Sequence, residues 1–129
     1  MRPVAVSVLT ADDSPAFRAA LADIVDATPG WELVAETSSG EEAVGVAERL
    51  RPDVVLIDVR MGGIDGIEAA AQIVALDGHT LVVVLSAGDL EPLSARAGAA
   101  GVTAVVDKRR LRPGVLQEIW AAYGAPARA

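Results

Sequence analysis

At 129 residues the chain suits one domain, and a composition 52% hydrophobic but only 3% aromatic means that its core is built from Val, Leu, Ile and Ala. A net charge of −7 removes any bulk electrostatic reason to bind nucleic acid or an acidic membrane; the basic cluster Lys108-Arg109-Arg110-Arg112 is the local exception, and its three arginines read as a solvated helix start or, alternatively, a partner or anion contact. Absence of cysteine excludes disulfides and thiolate metal sites, no apolar run approaches the roughly 20 residues of a membrane span, and a cytoplasmic chain without a secretory leader is expected.

Strand-like and helix-like segments alternate along the chain. Val4 to Leu9 is apolar apart from Ser7, the pattern of a strand buried on both faces. Ser14-Pro15 reads as an N-cap and first helical position, with Phe17, Leu21, Ile24 and Val25 at helical spacing until Pro29-Gly30. Trp31 to Thr37 mixes apolar and polar residues, as an edge strand does. Ser39 opens a helix through Leu50 whose buried side is expected to carry Ala43, Val44, Ala47 and Leu50, before Arg51-Pro52 ends it. The apolar run Val54-Val55-Leu56-Ile57 closes on Asp58 and leads into a glycine-containing loop, Val59 to Asp65. A third helix is predicted from about Gly66 to Ala75, with Ile67, Ala70, Ala71 and Val74 inward. After the Asp77-Gly78 turn, where His79 reads as a surface residue, Leu81 to Leu85 forms the next strand. A helix from Pro92 to Ala97, kept short by Gly98 and Gly101, precedes a strand over Thr103 to Val106. Pro113 to Tyr123 is the last helix, with Val115, Leu116, Ile119, Trp120 and Tyr123 on one side. Trp120 and Tyr123 read as packing residues or, alternatively, as a dimer or partner face.

Repeated strand–helix order with short connections predicts an α/β fold, an open parallel five-stranded sheet with helices on both faces. Parallel sheets place ligand sites at the carboxyl ends of their strands. Here those ends carry Asp12-Asp13, Asp58, Ser86 and Asp107-Lys108. In a flavodoxin-like order, 2-1-3-4-5, the first and third strands are neighbours, and Asp12-Asp13 meets Asp58 at the switch point. Clustered carboxylates repel one another, so a proton or a cation is expected among them, and an all-oxygen donor set suits Mg²⁺. An aspartate can serve as the nucleophile of phosphoryl transfer, and Asp58, on the most central strand, is the candidate. Alone, Asp12-Asp13 would simply suit a helix start and Ser86 a strand end; their register with Asp58 and Lys108 is what reads as a site.

On the segments Ala11-Asp12-Asp13-Ser14-Pro15, Pro52-Asp53-Val54-Val55-Leu56-Ile57-Asp58 and Leu85-Ser86-Ala87, together with Met61, Asp65-Gly66 and Lys108, the chain resembles the receiver domain of bacterial two-component response regulators. The resemblance covers essentially the whole chain and is greatest to receivers that precede a helix-turn-helix output domain. Residues 1–129 are expected to form a single, stand-alone receiver. The resemblance implies that a histidine kinase or phosphotransfer protein donates a phosphoryl group to Asp58. It implies that Asp13 and Asp58 ligate Mg²⁺, with Asp12 acting largely through water and Arg60 through its backbone carbonyl. Ser86 and Lys108 would contact the phosphoryl group, and the face made by the fourth helix, fifth strand and fifth helix would respond. An output protein, or a second copy in a homodimer, would read that change, with no direct nucleic-acid or membrane contact. No turnover chemistry beyond self-phosphorylation and slow loss of the group is expected.

Three positions depart from the family pattern. Arg109 stands where proline usually follows the lysine after a cis bond; a cis bond to a non-proline residue costs about 3–4 kcal/mol, so a trans bond and a shifted loop are expected. Val105 replaces the switch aromatic, and Gly62 replaces the proline after Met61, leaving a looser loop with Gly63. Val105 and Arg109 motivate an alternative, a pseudo-receiver that binds partners regardless of phosphate. A haloacid-dehalogenase-like phosphatase is disfavoured, since Arg60 occupies the place of its second acid. No glycine-rich phosphate loop follows the first strand, which disfavours nucleotide binding.

Overall fold

The computed structural model describes residues 5–124, so the predicted strand start at Val4 lies outside the described residues. β1 (Val6–Ala11) pairs in parallel with both β2 (Trp31–Thr37) and β3 (Val54–Asp58). β3 pairs onward with β4 (Leu81–Ser86), and β4 with β5 (Ala104–Asp107), giving the order β2-β1-β3-β4-β5. This is the flavodoxin-like order, and it puts the ends of β1 and β3 side by side.

Five helices cover the sheet: α1 (Pro15–Asp26), α2 (Gly40–Leu50), α3 (Gly66–Leu76), α4 (Glu91–Ala100) and α5 (Pro113–Tyr123). β3 and β4 are buried along their whole length because both faces are covered. Successive residues point to opposite faces and so sort into two cores. Leu9, Val55, Ile57, Val82 and Val84 pack with Ala43 and Ala47 of α2 and Ile67, Ala70 and Ile73 of α3. Val8, Val54, Leu56, Val83 and Leu85 pack with Leu21 and Val25 of α1 and Leu116 of α5. Ser7, the polar interruption in β1, exchanges hydrogen bonds with Asp53: its N–H donates to the carboxylate at 2.9 Å, and its Oγ accepts from the Asp53 N–H at 2.9 Å.

Local caps fix the helix starts. Ser14 Oγ accepts from the Phe17 N–H ahead of Pro15, Ser39 Oγ from Glu42, and Asp65 Oδ1 from Glu68. Several boundaries differ from the sequence expectation. β1 continues to Ala11, β4 takes in Ser86, and β5 starts at Ala104 and takes in Asp107, because each pairs with its neighbour to the sheet rim. α4 runs through Gly98 to Ala100 and stops only at Gly101, whose φ of +82° supplies the left-handed C-cap. Leu50, expected inside, is 47% exposed: it is the last residue of α2, next to left-handed Arg51, and no further turn covers it. α3 packs against both α2 and α4, so it buries a wider arc, with Ala69 and Ile73 fully inside and Ala71 and Val74 only partly. Trp120 meets Trp31 edge-on, with ring centroids 6.3 Å apart, whereas Tyr123 is 62% exposed. His79 is exposed, as its turn position predicts.

Candidate functional site

The carboxyl ends of β1, β3 and β5 converge on one pocket. Just past β1, Asp12 is fully buried. Its backbone N–H donates to the Thr37 carbonyl at 3.1 Å, its Oδ1 accepts from the Ser14 N–H at 2.8 Å, and the Arg18 guanidinium donates to its carbonyl at 2.7 Å. With Oδ1 held in that turn, Oδ2 accepts a hydrogen bond from Lys108 Nζ at 2.9 Å. The same ammonium lies 3.2 Å from Asp58 Oδ1, so Lys108 bridges the ends of β1 and β3. Exposed Asp13 completes the group: one oxygen from each of Asp12, Asp13 and Asp58 lies within 4.8 Å of the others.

Charge balance follows from this geometry. Burial pushes the Asp58 carboxyl above its ordinary pKa; the Lys108 charge opposes the rise and the Asp12 charge adds to it. For Lys108, burial acts to lower the pKa, but the hydrogen bond to Asp12 and the charge of Asp58 outweigh it and hold the ammonium above its usual value. One ammonium facing three carboxylates leaves negative charge uncompensated, and their oxygens form a hard donor set that fits a divalent cation such as Mg²⁺.

A cavity of about 320 Å³ opens beside the group, lined by Asp58, Val59, Arg60, Ala87, Gly88 and Lys108. Arg60 therefore stands at the pocket, and its backbone N–H acts to lower the Asp58 pKa, against the larger effect of burial. Ser86 ends β4 one residue beyond Leu85, the register partner of Asp58. Its side chain is buried, and its Oγ accepts from the Gly88 N–H at 3.1 Å, which turns the hydroxyl into the β4–α4 turn. Gly66 packs directly on the phosphoacceptor candidate's backbone: its N–H donates to the Val59 carbonyl at 2.9 Å, and any Cβ there would run into the Asp58 carbonyl oxygen. The loop expected to be loose around Gly62-Gly63 is held at one point, where Glu41 Oε2 accepts from the Ile64 N–H at 3.3 Å.

Two features at this site escaped the sequence. The Phe17 ring lies under Lys108, with Nζ 4.1 Å from its centroid. Helical spacing marks Phe17 only as a core residue, and nothing in the sequence places it beside Lys108. Arg109 is also fastened: the Asp107 carboxylate accepts from its backbone N–H at 2.8 Å and from its guanidinium at 2.7 Å. Those bonds open a 3₁₀ turn, Lys108–Arg110, and hold the Asp107 carboxyl down at about 2. The Lys108–Arg109 bond is trans, as expected, and Lys108 still reaches both carboxylates.

The family model described as the response regulator receiver domain matches residues 8–119. The chain belongs to that family. The receiver is 40% identical over 103 residues to protein-glutamate methylesterase/protein-glutamine glutaminase 2 of Anaeromyxobacter dehalogenans (strain 2CP-C), covering 80% of this chain and 30% of that protein. It is 41% identical over 81 residues to the transcriptional regulatory protein LiaR of Bacillus subtilis (strain 168), covering 63% and 38%. A chain from the CheX–CheY–BeF₃–Mg²⁺ complex of Borrelia burgdorferi superposes with a TM-score of 0.81 at 27% identity, over 92% of the receiver and 90% of that chain. The receiver spans about a third of the length of these curated relatives. Among the described residues, no helix is long and apolar enough to cross a membrane.

Proposed function

We propose that this receiver is a phosphoacceptor signalling domain, in which Asp58 takes a phosphoryl group from a histidine kinase or phosphotransfer protein and partner binding changes as a result. The observation that carries this reading is the convergence of three carboxylates within 4.8 Å on an ammonium that touches two of them. Asp12, Asp13, Asp58 and the Arg60 carbonyl would hold Mg²⁺, which when bound neutralises charge on the incoming phosphoryl oxygens. A similar chain solved with BeF₃ and Mg²⁺ supports that ligand chemistry.

The protein's own residues perform the rest. An Asp58 oxygen attacks phosphorus, the new O–P bond forms as the donor's bond to phosphorus breaks, and the electron pair leaves with the donor. Lys108, already 3.2 Å from Asp58, favours its ionised form and supplies positive charge to the transferring group. Ser86 becomes a hydrogen-bond donor to a phosphoryl oxygen once its hydroxyl turns out of the Gly88 contact. The receiver by itself is a switch in the cytoplasm rather than a turnover enzyme; its output protein, or a second copy, reads the phosphorylated state.

Intact-mass analysis after incubation with Mg²⁺ and acetyl phosphate tests this reading. One acid-stable, base-labile phosphoryl adduct is expected, absent from Asp58→Asn. No adduct at saturating donor with Mg²⁺ present refutes it and leaves the pseudo-receiver.

A further inference from the structure

Lys108 carries its charge on a flexible four-carbon stem, and a hydrated ammonium so placed does not hold one position unaided. Its base is anchored by the turn that Asp107 and Arg109 close. Its tip rests on three groups: Asp12 Oδ2 at 2.9 Å, Asp58 Oδ1 at 3.2 Å and the face of Phe17 at 4.1 Å. The lysine side chain is 16% exposed, so the ring meets a largely desolvated cation, the condition in which a cation–π contact is strongest. Phe17 is itself fixed, since its N–H donates to Ser14 Oγ at 3.2 Å and its ring packs beside the core that holds Leu21 and Val25.

The three supports differ in one respect. Both carboxylates change charge partners when a cation or a phosphoryl group arrives, so their hold on Nζ changes during the reaction. The uncharged ring does not take part in that exchange, and it lies outside the residues that line the cavity. We propose that Phe17 is a positioning residue for phosphoryl transfer, its ring face holding the Lys108 ammonium at the mouth of the pocket as the carboxylates change partners. The proposal rests on the phosphoacceptor reading of Asp58. It differs from a packing role, for which leucine would serve nearly as well.

The test combines a rate cycle with a spectroscopic contact. With saturating Mg²⁺ and acetyl phosphate, Phe17→Leu is expected to slow phosphorylation about three- to tenfold, the strength of a part-buried cation–π contact, and Phe17→Tyr to keep the wild-type rate. In a Lys108→Met background, Phe17→Leu is expected to change the residual rate less than about twofold, because the ring then has no cation to hold. NMR of the Lys108 ε-methylene is expected to show an upfield ring-current shift in the wild type and Phe17→Tyr that is lost in Phe17→Leu. An equal loss of rate in both backgrounds assigns Phe17 to packing and overturns the proposal, as does an unchanged rate in Phe17→Leu. Failure of the wild type to take a phosphoryl group is a different result and overturns the Asp58 reading beneath it.

Discussion

Removing the negative charge of Asp58 should make the metal-free protein more stable. Asp58→Asn keeps the shape of the side chain and deletes the charge. In the folded chain that charge lies within 4.8 Å of a carboxylate oxygen on Asp12, a repulsion of about 3–4 kcal/mol at an effective dielectric near 20. Lys108 at 3.2 Å returns about 5 kcal/mol on the same scale, which alone would favour the aspartate. Burial decides the sign. The Asp58 side chain is only 9% exposed, and desolvating a carboxylate costs several kcal/mol, which is why its pKa stands above the ordinary value despite Lys108. Lys108 also keeps Asp12 as a partner after the substitution. With solvent screening at the pocket mouth allowed for, Asp58→Asn should gain about 1–2 kcal/mol at neutral pH in EDTA.

The pH dependence carries the sign independently. A carboxyl whose folded pKa is raised contributes its full stability below the unfolded pKa of 3.8 and loses it as pH rises through the folded pKa. The advantage of Asn should therefore be absent near pH 3.5, grow as pH rises, and level off towards neutrality. Mg²⁺ should reverse the order: at about 100 times its dissociation constant a ligand of the folded state adds about 2.7 kcal/mol, most of which Asp58→Asn should forfeit. Urea unfolding of both proteins, with EDTA or Mg²⁺, measures all three effects. An Asn variant less stable than the wild type in EDTA at neutral pH refutes the charge balance, and equal stabilisation of both by Mg²⁺ removes Asp58 from the metal site.

Arg109→Ala should release Asp107 from its value of about 2 back towards the ordinary carboxylate range, read by NMR titration of the Asp107 carboxyl. Because that pKa is depressed in the fold, the Asp107–Arg109 contribution to stability should be present above the unfolded pKa and disappear as pH falls towards 2; a flat difference between variant and wild type across that window would contradict it. Gly66→Ala should destabilise by about 1–3 kcal/mol or more in urea unfolding, because its Cβ meets the Asp58 backbone, which cannot step aside as a side-chain tip could. A near-neutral Gly66→Ala would mean that the start of α3 moves freely against β3.

Much of the fold was legible because the chain is locally consistent. Trp31 to Thr37, Val54 to Asp58 and Pro113 to Tyr123 are bounded by residues whose chemistry starts or stops an element, and each range holds in the structure. Asp12, Asp13, Asp58 and Lys108 were legible as a cluster because charges at the ends of apolar strands are costly unless they meet, and they do meet. What was illegible depends on neighbours that spacing does not name. Leu50 fits the helical stripe of α2 but falls where the helix ends. Gly98 looked like a stop, yet a glycine inside a helix costs only about 1 kcal/mol, and the positive φ needed to end α4 is found at Gly101. Phe17 looked like core, since only the fold brings it beneath a lysine 91 positions later.

The departures from the family pattern fall on two different parts of the molecule, and the structure treats them differently. Arg109 sits at the chemical end, where the missing proline is answered by the Asp107 carboxylate closing a turn and Phe17 supporting the lysine tip. Val105 sits away from the pocket, where it lines a groove of about 270 Å³ between α4 and β5 with Leu90, Ala97 and Val102. Of the two elements around that groove, β5 is paired along its length with β4, and α4 has fewer fixed points. α4 has no side-chain cap on its first turn, carries Gly98 within it and fully buries only Ala97. Its tie to the loop after Asp58 is the Arg96–Asp65 pair, 2.6 Å long but 54% and 36% exposed, a contact worth no more than about 1 kcal/mol. Asp65 caps α3 on one oxygen and holds Arg96 of α4 with the other, so a single side chain joins the loop after Asp58 to both helices.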